Sequence, residues 1–247
     1  MWSKYKQKYN LLISSTYSSD KRFFDRISGL WIYFLIRPVS FLLAPIFILL
    51  NISANSVTFL SFLIGIMALF FGAQGEFILS AVFYNLFLIF DCVDGTVARV
   101  TQSTRQGEYL DAITGDLINF LFIPSLGIGV VFFSDSNYMI ADELVTRYTL
   151  LAALSSSIFY LLAALFSQRK KNIFGHTKNP TRIGKGENIA LFEIVFRNSF
   201  GVAFNAPMLI IFAYIHGVEL LIFYNFVISF LILVAFIFQS WFSVFRR

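Results

Sequence analysis

Residues 91–111 read DCVDGTVARVTQSTRQGEYLD, and the fold and the chemistry of the chain are both read outward from them. Three acids, Asp91, Asp94 and Asp111, stand with Gly95, Gly107 and Arg99 between long apolar runs. A carboxylate at the end of an apolar helix is costly to bury unless it binds something, so acids in membrane segments are functional candidates by default. On an α-helix Asp91 and Asp94 are i,i+3 neighbours and point roughly the same way. Asp111 opens a second helix after a short polar turn, so a helical hairpin brings the three together. Three converging carboxylates are hard oxygen ligands suited to Mg²⁺ or Mn²⁺.

The composition sets the setting for those acids. Hydrophobic residues make up 57% of the 247, aromatic residues 19% and charged residues 13%, and the mean hydropathy is +0.74. A chain of this length cannot hide so much apolar surface in a soluble core. The expected fold is all-α, a polytopic membrane helical bundle forming a single membrane domain over 1–247. The N-terminus, MWSKYKQKYN, is polar and basic with no apolar stretch and cleavage site behind it, so no cleaved signal peptide is expected. Cys92, the single cysteine, excludes an internal disulfide and a cysteine-based zinc site. Its reading, like that of His176 and His216, is an ordinary packed or polar position. Nothing supports nucleic-acid binding.

Apolar stretches over 55–73, 77–98, 108–133, 148–167, 201–216 and 218–240 predict six spans. A further stretch, 29–50, is long enough to cross, but Arg37-Pro38 interrupts it and Pro45 follows. With six spans and both termini inside, the basic residues of the N-terminus, of the 168–186 loop and of the C-terminus all lie in the cytoplasm. The outer loop 134–147 then carries Asp135, Asp142 and Glu143 against Arg147. This is a positive-inside pattern. Residues 1–54 are therefore read as a cytoplasmic and interfacial N-terminal segment, with 29–50 interfacial or re-entrant and Arg37 facing headgroups. Residues 55–240 form the bundle. The acids fall at the cytoplasmic ends of spans two and three, and Asn55 and Thr58 open span one at the same surface.

The spacing resembles the signature of the CDP-alcohol phosphotransferases, D-x-x-D-G-x-x-A-R, seven or eight residues, then G-x-x-x-D-x-x-x-D. The match runs through Asp91, Asp94, Gly95, Ala98 and Arg99, a seven-residue gap, then Gly107 and Asp111. Upstream, Asn55-Ser56-Val57-Thr58 is similar to the family's N-x-V-T, so the resemblance covers roughly residues 55–116. It implies transfer of a phosphoalcohol group from a CDP-alcohol to an acceptor hydroxyl with release of CMP, in phospholipid or related phosphoglycoconjugate synthesis. The donor expected is CDP-diacylglycerol or another CDP-alcohol, making the chain a phosphatidyltransferase-class enzyme. Two Mg²⁺ or Mn²⁺ ions on Asp91, Asp94 and Asp111 are implied, with a CDP-alcohol pocket of Asn55, Thr58, Gly95, Ala98, Arg99, Thr104 and Gly107. Thr104 occupies the position where relatives present a hydroxyl to the nucleotide. The resemblance further implies membrane-lipid contact, a homodimer, and a bacterial inner or plasma membrane location.

The family's fourth acid, thought to deprotonate the acceptor, should stand at 115, where this chain has Gly115 followed by Asp116. Side chains four residues apart lie about 40° apart around a helix, and five residues apart about 140°. Asp116 serves as base and further metal ligand only if the helix is distorted, for example by a π-bulge at Gly115. The other readings are a different base, an acceptor that needs less help, and a protein that binds a CDP-compound without turnover. A membrane prenyltransferase is a weaker alternative, since a second Asp-rich repeat is missing after 116. A transporter is weaker too, since its polar groups would spread through the membrane depth. The basic run Arg169-Lys170-Lys171 with Lys178, Arg182 and Lys185 reads as topology plus anionic-lipid contact, or as a seat for an anionic acceptor such as a phosphorylated polyol.

Overall fold

The computed structural model describes residues 6, 10, 29–101, 104–133, 143–174 and 202–245. A π-helical turn, Ile32–Ile36, leads into α1 (Arg37–Leu49); α2 (Ala54–Ala73), α3 (Phe77–Thr101), α4 (Arg105–Phe133), α5 (Glu143–Phe174), α6 (Val202–Tyr214) and α7 (Val218–Phe245) follow. No strand occurs among the described residues. Each of the six apolar stretches expected to span coincides with one of α2 to α7. Large apolar side chains such as Phe59, Phe70, Ile78, Phe132 and Phe238 stay exposed on the outside of the bundle. Helices in lipid satisfy their own backbone groups, so apolar surface can face outward. The chain is an integral membrane helical bundle.

The core is built on α2, α3 and α4. In α2 the Ser53 hydroxyl caps the start by accepting from the Ser56 N–H at 3.2 Å, and Gly75, at φ +78°, ends the following turn in the left-handed region. Between α2 and α4 runs a seam of small residues. A Cβ on Gly65 would meet the Ile118 side chain at 2.8 Å, and one on Gly72 would meet Ser125 Oγ at 2.9 Å. A Cβ on Gly129 would run into the Gly72 carbonyl itself. Small residues let membrane helices approach this closely, where van der Waals packing is the main attraction. Behind the seam, Tyr84 of α3 stacks on Phe122 of α4 with ring centroids 3.6 Å apart. The other helices complete the bundle, α5 packing on α4 and α7, and α6 on α3.

The expected interfacial segment takes another form. Arg37-Pro38 does not interrupt the helix, because the π turn absorbs it: the Arg37 N–H bonds to the Ile32 carbonyl, and Pro38 falls in the first turn of α1, where its missing N–H costs little. The stretch Ile32–Leu49 has mean hydropathy 2.1, and among the described residues it is one of five helices long and apolar enough to cross a membrane. The others are Ala54–Ala73, Phe77–Thr101, Arg105–Phe133 and Val218–Ala235, while Tyr148–Leu162 and Phe204–Tyr214 are shorter apolar helices. Packing follows the length of α3. Trp31 Nε1 donates to Asn85 Oδ1 at 2.8 Å, Phe47 meets Phe90 edge to face, and Phe41, Ala44 and Ile48 cluster with Val57, Val93 and Val97. Arg37 was expected among headgroups; instead its Nε is buried and its charge acts on Asp91.

The seam is testable. Gly129→Leu forces a side chain into the Gly72 backbone and should cost on the order of 3 kcal/mol or more, read as a lost melting transition of the detergent-purified protein. Gly95→Ala should leave the midpoint unchanged, since its Cβ would meet only Arg99 Nη1 at 3.8 Å.

Candidate functional site

A cavity of about 630 Å³ opens where the turn before α2, the last turns of α3 and the first turns of α4 meet. Its walls carry Asn55 and Thr58 from α2, Asp94, Gly95, Ala98 and Arg99 from α3, and Thr104, Gly107, Glu108 and Asp111 at the start of α4. Nine of the residues singled out in the sequence thus share one space. Asn51, whose φ of +53° closes α1 in the left-handed region, also lines it. The N-termini of α2 and α4 both border the cavity, so unpaired backbone N–H groups and the positive ends of two helix dipoles meet there. Helix N-termini of this kind hold phosphates without further machinery. Arg99 adds a planar cation suited to a phosphate.

Local chemistry fixes each wall. Thr104 Oγ1 accepts from the Gly107 N–H at 3.1 Å, so it is the N-cap of α4 as well as a cavity wall. Gly107 is glycine for a stated reason: a Cβ there would stand 2.6 Å from Asn55 Oδ1 and 3.1 Å from Thr104 Oγ1. Its lack of a side chain lets the start of α2 close on the start of α4. Gly95 instead faces open space and widens the cavity. Thr58, buried, donates its hydroxyl to the Ala54 carbonyl at 3.1 Å. Arg99 is steered by a residue that sequence reading missed, since its Nη2 donates to Thr96 Oγ1 at 3.1 Å. Thr96 in turn donates to the Cys92 carbonyl at 2.8 Å and is wholly buried. The signal was there, because Thr96 lies three residues before Arg99 on one helix face.

The acids divide. Asp94 is only 2% exposed; the Thr58 hydroxyl and the Gly95 N–H act on its carboxylate, but neither oxygen has a hydrogen bond of good geometry among the described residues. Asp111 lies across the cavity, within electrostatic reach of both Asp94 and Asp91. Asp91 is not among the cavity walls and lies one turn deeper on α3. Among the described residues no three acid, histidine or cysteine side chains already surround a single metal-sized point. The fourth acid's position is informative. A Cβ on Gly115 would point at Asp91 Oδ1 from 3.8 Å, with room for a side chain. Asp116 is exposed, its charge acts on Tyr160 of α5, and it does not line the cavity. The helix is regular α across 115, without the bulge that would swing Asp116 round.

The sequence profile of the CDP-alcohol phosphatidyltransferases matches residues 51–237. The chain belongs to that family. The matched region holds every wall of the cavity except Ile48, and α1 lies outside it. No curated protein matches the chain. The family is one of transferases acting on CDP-alcohols, which gives the cavity its general class of activity.

The Thr96–Arg99 pair carries a prediction for nucleotide binding. Thr96→Val removes a hydrogen bond to a charged group and should weaken CMP binding about tenfold, measured by isothermal titration, with the melting midpoint unchanged. Thr96→Ser should bind like the parent.

Proposed function

We propose that the protein transfers the phosphatidyl or related phosphoalcohol group of a CDP-alcohol, CDP-diacylglycerol being the donor we favour, to an acceptor hydroxyl. The observation carrying this reading is Asp94, a carboxylate buried without a hydrogen bond of good geometry in the wall of a cavity bordered by two helix N-termini and Arg99. The acceptor oxygen bonds to the phosphorus bearing the alcohol while that phosphorus loses its bond to the CMP phosphate. The electron pair leaves on CMP, and the hydroxyl proton passes to a base. Arg99 and the amides at the starts of α2 and α4 hold the pyrophosphate. Asn55, Thr58, Ala98 and Thr104 line the nucleotide side, and Gly95 and Gly107 leave room for it.

The donor set fits a hard divalent cation, since Asp91, Asp94 and Asp111 offer only carboxylate oxygens and two of these are buried without a hydrogen bond of good geometry. These three residues would hold Mg²⁺ or Mn²⁺, two ions in our reading, and bound ions would neutralise pyrophosphate charge. Asp116 faces away from this set, so we assign it no metal; it acts as the base only if the helix distorts at Gly115 during turnover, which the variants below test. The charge asymmetry of the sequence supports a cytoplasmic site with both termini inside, in a bacterial inner or plasma membrane, and we take the working unit to be a homodimer in contact with membrane lipid. The basic run 169–185 falls on side chains outside the described residues. A second reading, binding of a CDP-compound without turnover, is favoured by Gly115 and by the turn of Asp116 away from the cavity.

Release of CMP from CDP-diacylglycerol by the purified protein decides between them. Tested over a panel of hydroxyl acceptors, it should require Mg²⁺ or Mn²⁺ and stop on chelation. Asp94→Asn should lower it at least about 100-fold in a protein that still melts like the parent. Near-normal, metal-dependent turnover in that variant would refute the site. Asp116→Asn should lower kcat at least about tenfold with an unchanged donor KM, and Gly115→Asp in that background should restore part of it. Normal turnover by Asp116→Asn would move the base elsewhere.

A further inference from the structure

Arg37 is the one charged residue between Trp31 and Ile52, and it lies outside the region that the family profile matches. A cation within an apolar helix is costly unless a specific partner receives it. Two anchors fix where along α3 it falls. On its N-terminal side Trp31 Nε1 donates to Asn85 Oδ1 at 2.8 Å, and on its C-terminal side Phe41, Ala44 and Ile48 cluster with Val93 and Val97. Residues 37, 40, 41, 44 and 48 share one helical face by their spacing, and the last four of them are buried. Arg37 thus opens the row that packs on α3, between the levels of Asn85 and Val93. Asp91 lies in that interval, and the Arg37 charge acts on it.

Asp91 is held between unlike charges. Asp111 of α4 acts on it from one side and Arg37 of α1 from another. Towards Gly115 there is open space, since a Cβ there would stand 3.8 Å from Asp91 Oδ1. Asp94, one turn along, differs, because the charges bearing most on it are those of two acids, Asp111 and Asp91. The cation in the cavity wall, Arg99, is drawn to Thr96 instead. With glycine at 115 and an arginine beside Asp91, the cluster is two charges less negative than four acids alone would be. Both differences fall at the Asp91 end. A divalent cation arriving there must displace the guanidinium from its carboxylate or settle beside it, and two neighbouring cations repel strongly in a weakly screened setting.

We propose that Arg37 is a positioning residue acting through Asp91: a fixed countercharge that holds this carboxylate before metal binds and makes the cation nearest Asp91 the weaker-bound of the two. The inference rests on the metal-dependent transferase reading. It gives α1, which the family profile does not cover, a part in the site beyond packing. It also has a consequence for stability. Neutralising Arg37 leaves a buried carboxylate without its countercharge, which is costly until a metal ion takes the place of the guanidinium.

Mn²⁺ binding to the detergent-purified full chain, first stripped with EDTA, is read by electron paramagnetic resonance of the free ion. The parent should show two classes of site. Arg37→Gln should tighten the weaker class at least about tenfold, and Arg37→Lys, which keeps the charge, should stay within about threefold of the parent. A residue that only held the fold would leave the weaker class unchanged or loosen it. Either result overturns the inference, as does a parent with one class of site or none. Melting midpoints in EDTA supply a second arm, which decides the matter should Arg37→Gln be too unstable to titrate. Arg37→Gln should lower the midpoint of the parent, whereas Arg37→Gln combined with Asp91→Asn should melt within about 2 °C of Asp91→Asn alone, because no buried charge is then left unpaired. An equal loss in both backgrounds overturns the pairing. Neither arm uses a CDP-alcohol or turnover. Absence of CMP release would therefore refute the transferase reading separately, while metal-dependent release beside an unchanged Mn²⁺ titration would refute only the role of Arg37.

Discussion

The open end of this bundle is arranged around a buried carboxylate, that of Asp94, which the described residues satisfy only in part. Asp94 places two oxygens in the wall of an apolar helix packing without a hydrogen bond of good geometry among the described residues. An ionised carboxylate left that way costs several kcal/mol even after relaxation. The Thr58 hydroxyl and the Gly95 N–H offset only part of that cost. Asp91 and Asp111 add negative charge, and the cations nearest in the design are held elsewhere, Arg99 on Thr96 and Arg37 beside Asp91. The packing of α2, α3 and α4 holds this arrangement in place, and either a proton or a cationic ligand would complete it.

That packing is where the sequence acts at a distance from the site. Gly65, Gly72 and Gly129 set how closely α2 and α4 approach, and the approach continues along both helices to the point where Asn55 meets Gly107. If the seam were widened by a methyl group, the two helix N-termini that border the cavity would separate, and their dipoles would no longer point into one space. The glycines of the seam and the glycines of the motif therefore serve one purpose at two depths. Only Gly95 differs, since it opens space instead of closing it.

Much of this was legible beforehand, for physical reasons. Long apolar runs declare spans because lipid admits little else, and the spacing of Asp91, Asp94, Gly95, Arg99, Gly107 and Asp111 declares a hairpin site because those residues are close in sequence. What escaped reading was what depends on the third dimension. Arg37-Pro38 looked like a break, because a π turn cannot be seen in hydropathy, and so α1 was expected at the headgroups and not along α3. The capping role of Thr104 and the steering of Arg99 by Thr96 are side-chain contacts, for which the sequence offers only helical spacing. A second cavity gathers Tyr84, Asn119, Tyr160, Asn205 and Asn225 from five helices, and single polar residues in apolar runs carry no local signature.

The displaced acid shows why angle matters more than proximity in sequence. At position 115 a carboxylate would bear directly on Asp91, inside the cluster that holds the donor. One residue later the helix has turned by about 100°, and Asp116 faces Tyr160 on α5 instead. A carboxylate at 115 feels both a bound cation and the other acids, so its readiness to take a proton depends on the occupancy of the donor site. A carboxylate at 116 therefore cannot stand in for one at 115 while the helix stays regular, and beside Asp91 the family's fourth position is left as open space.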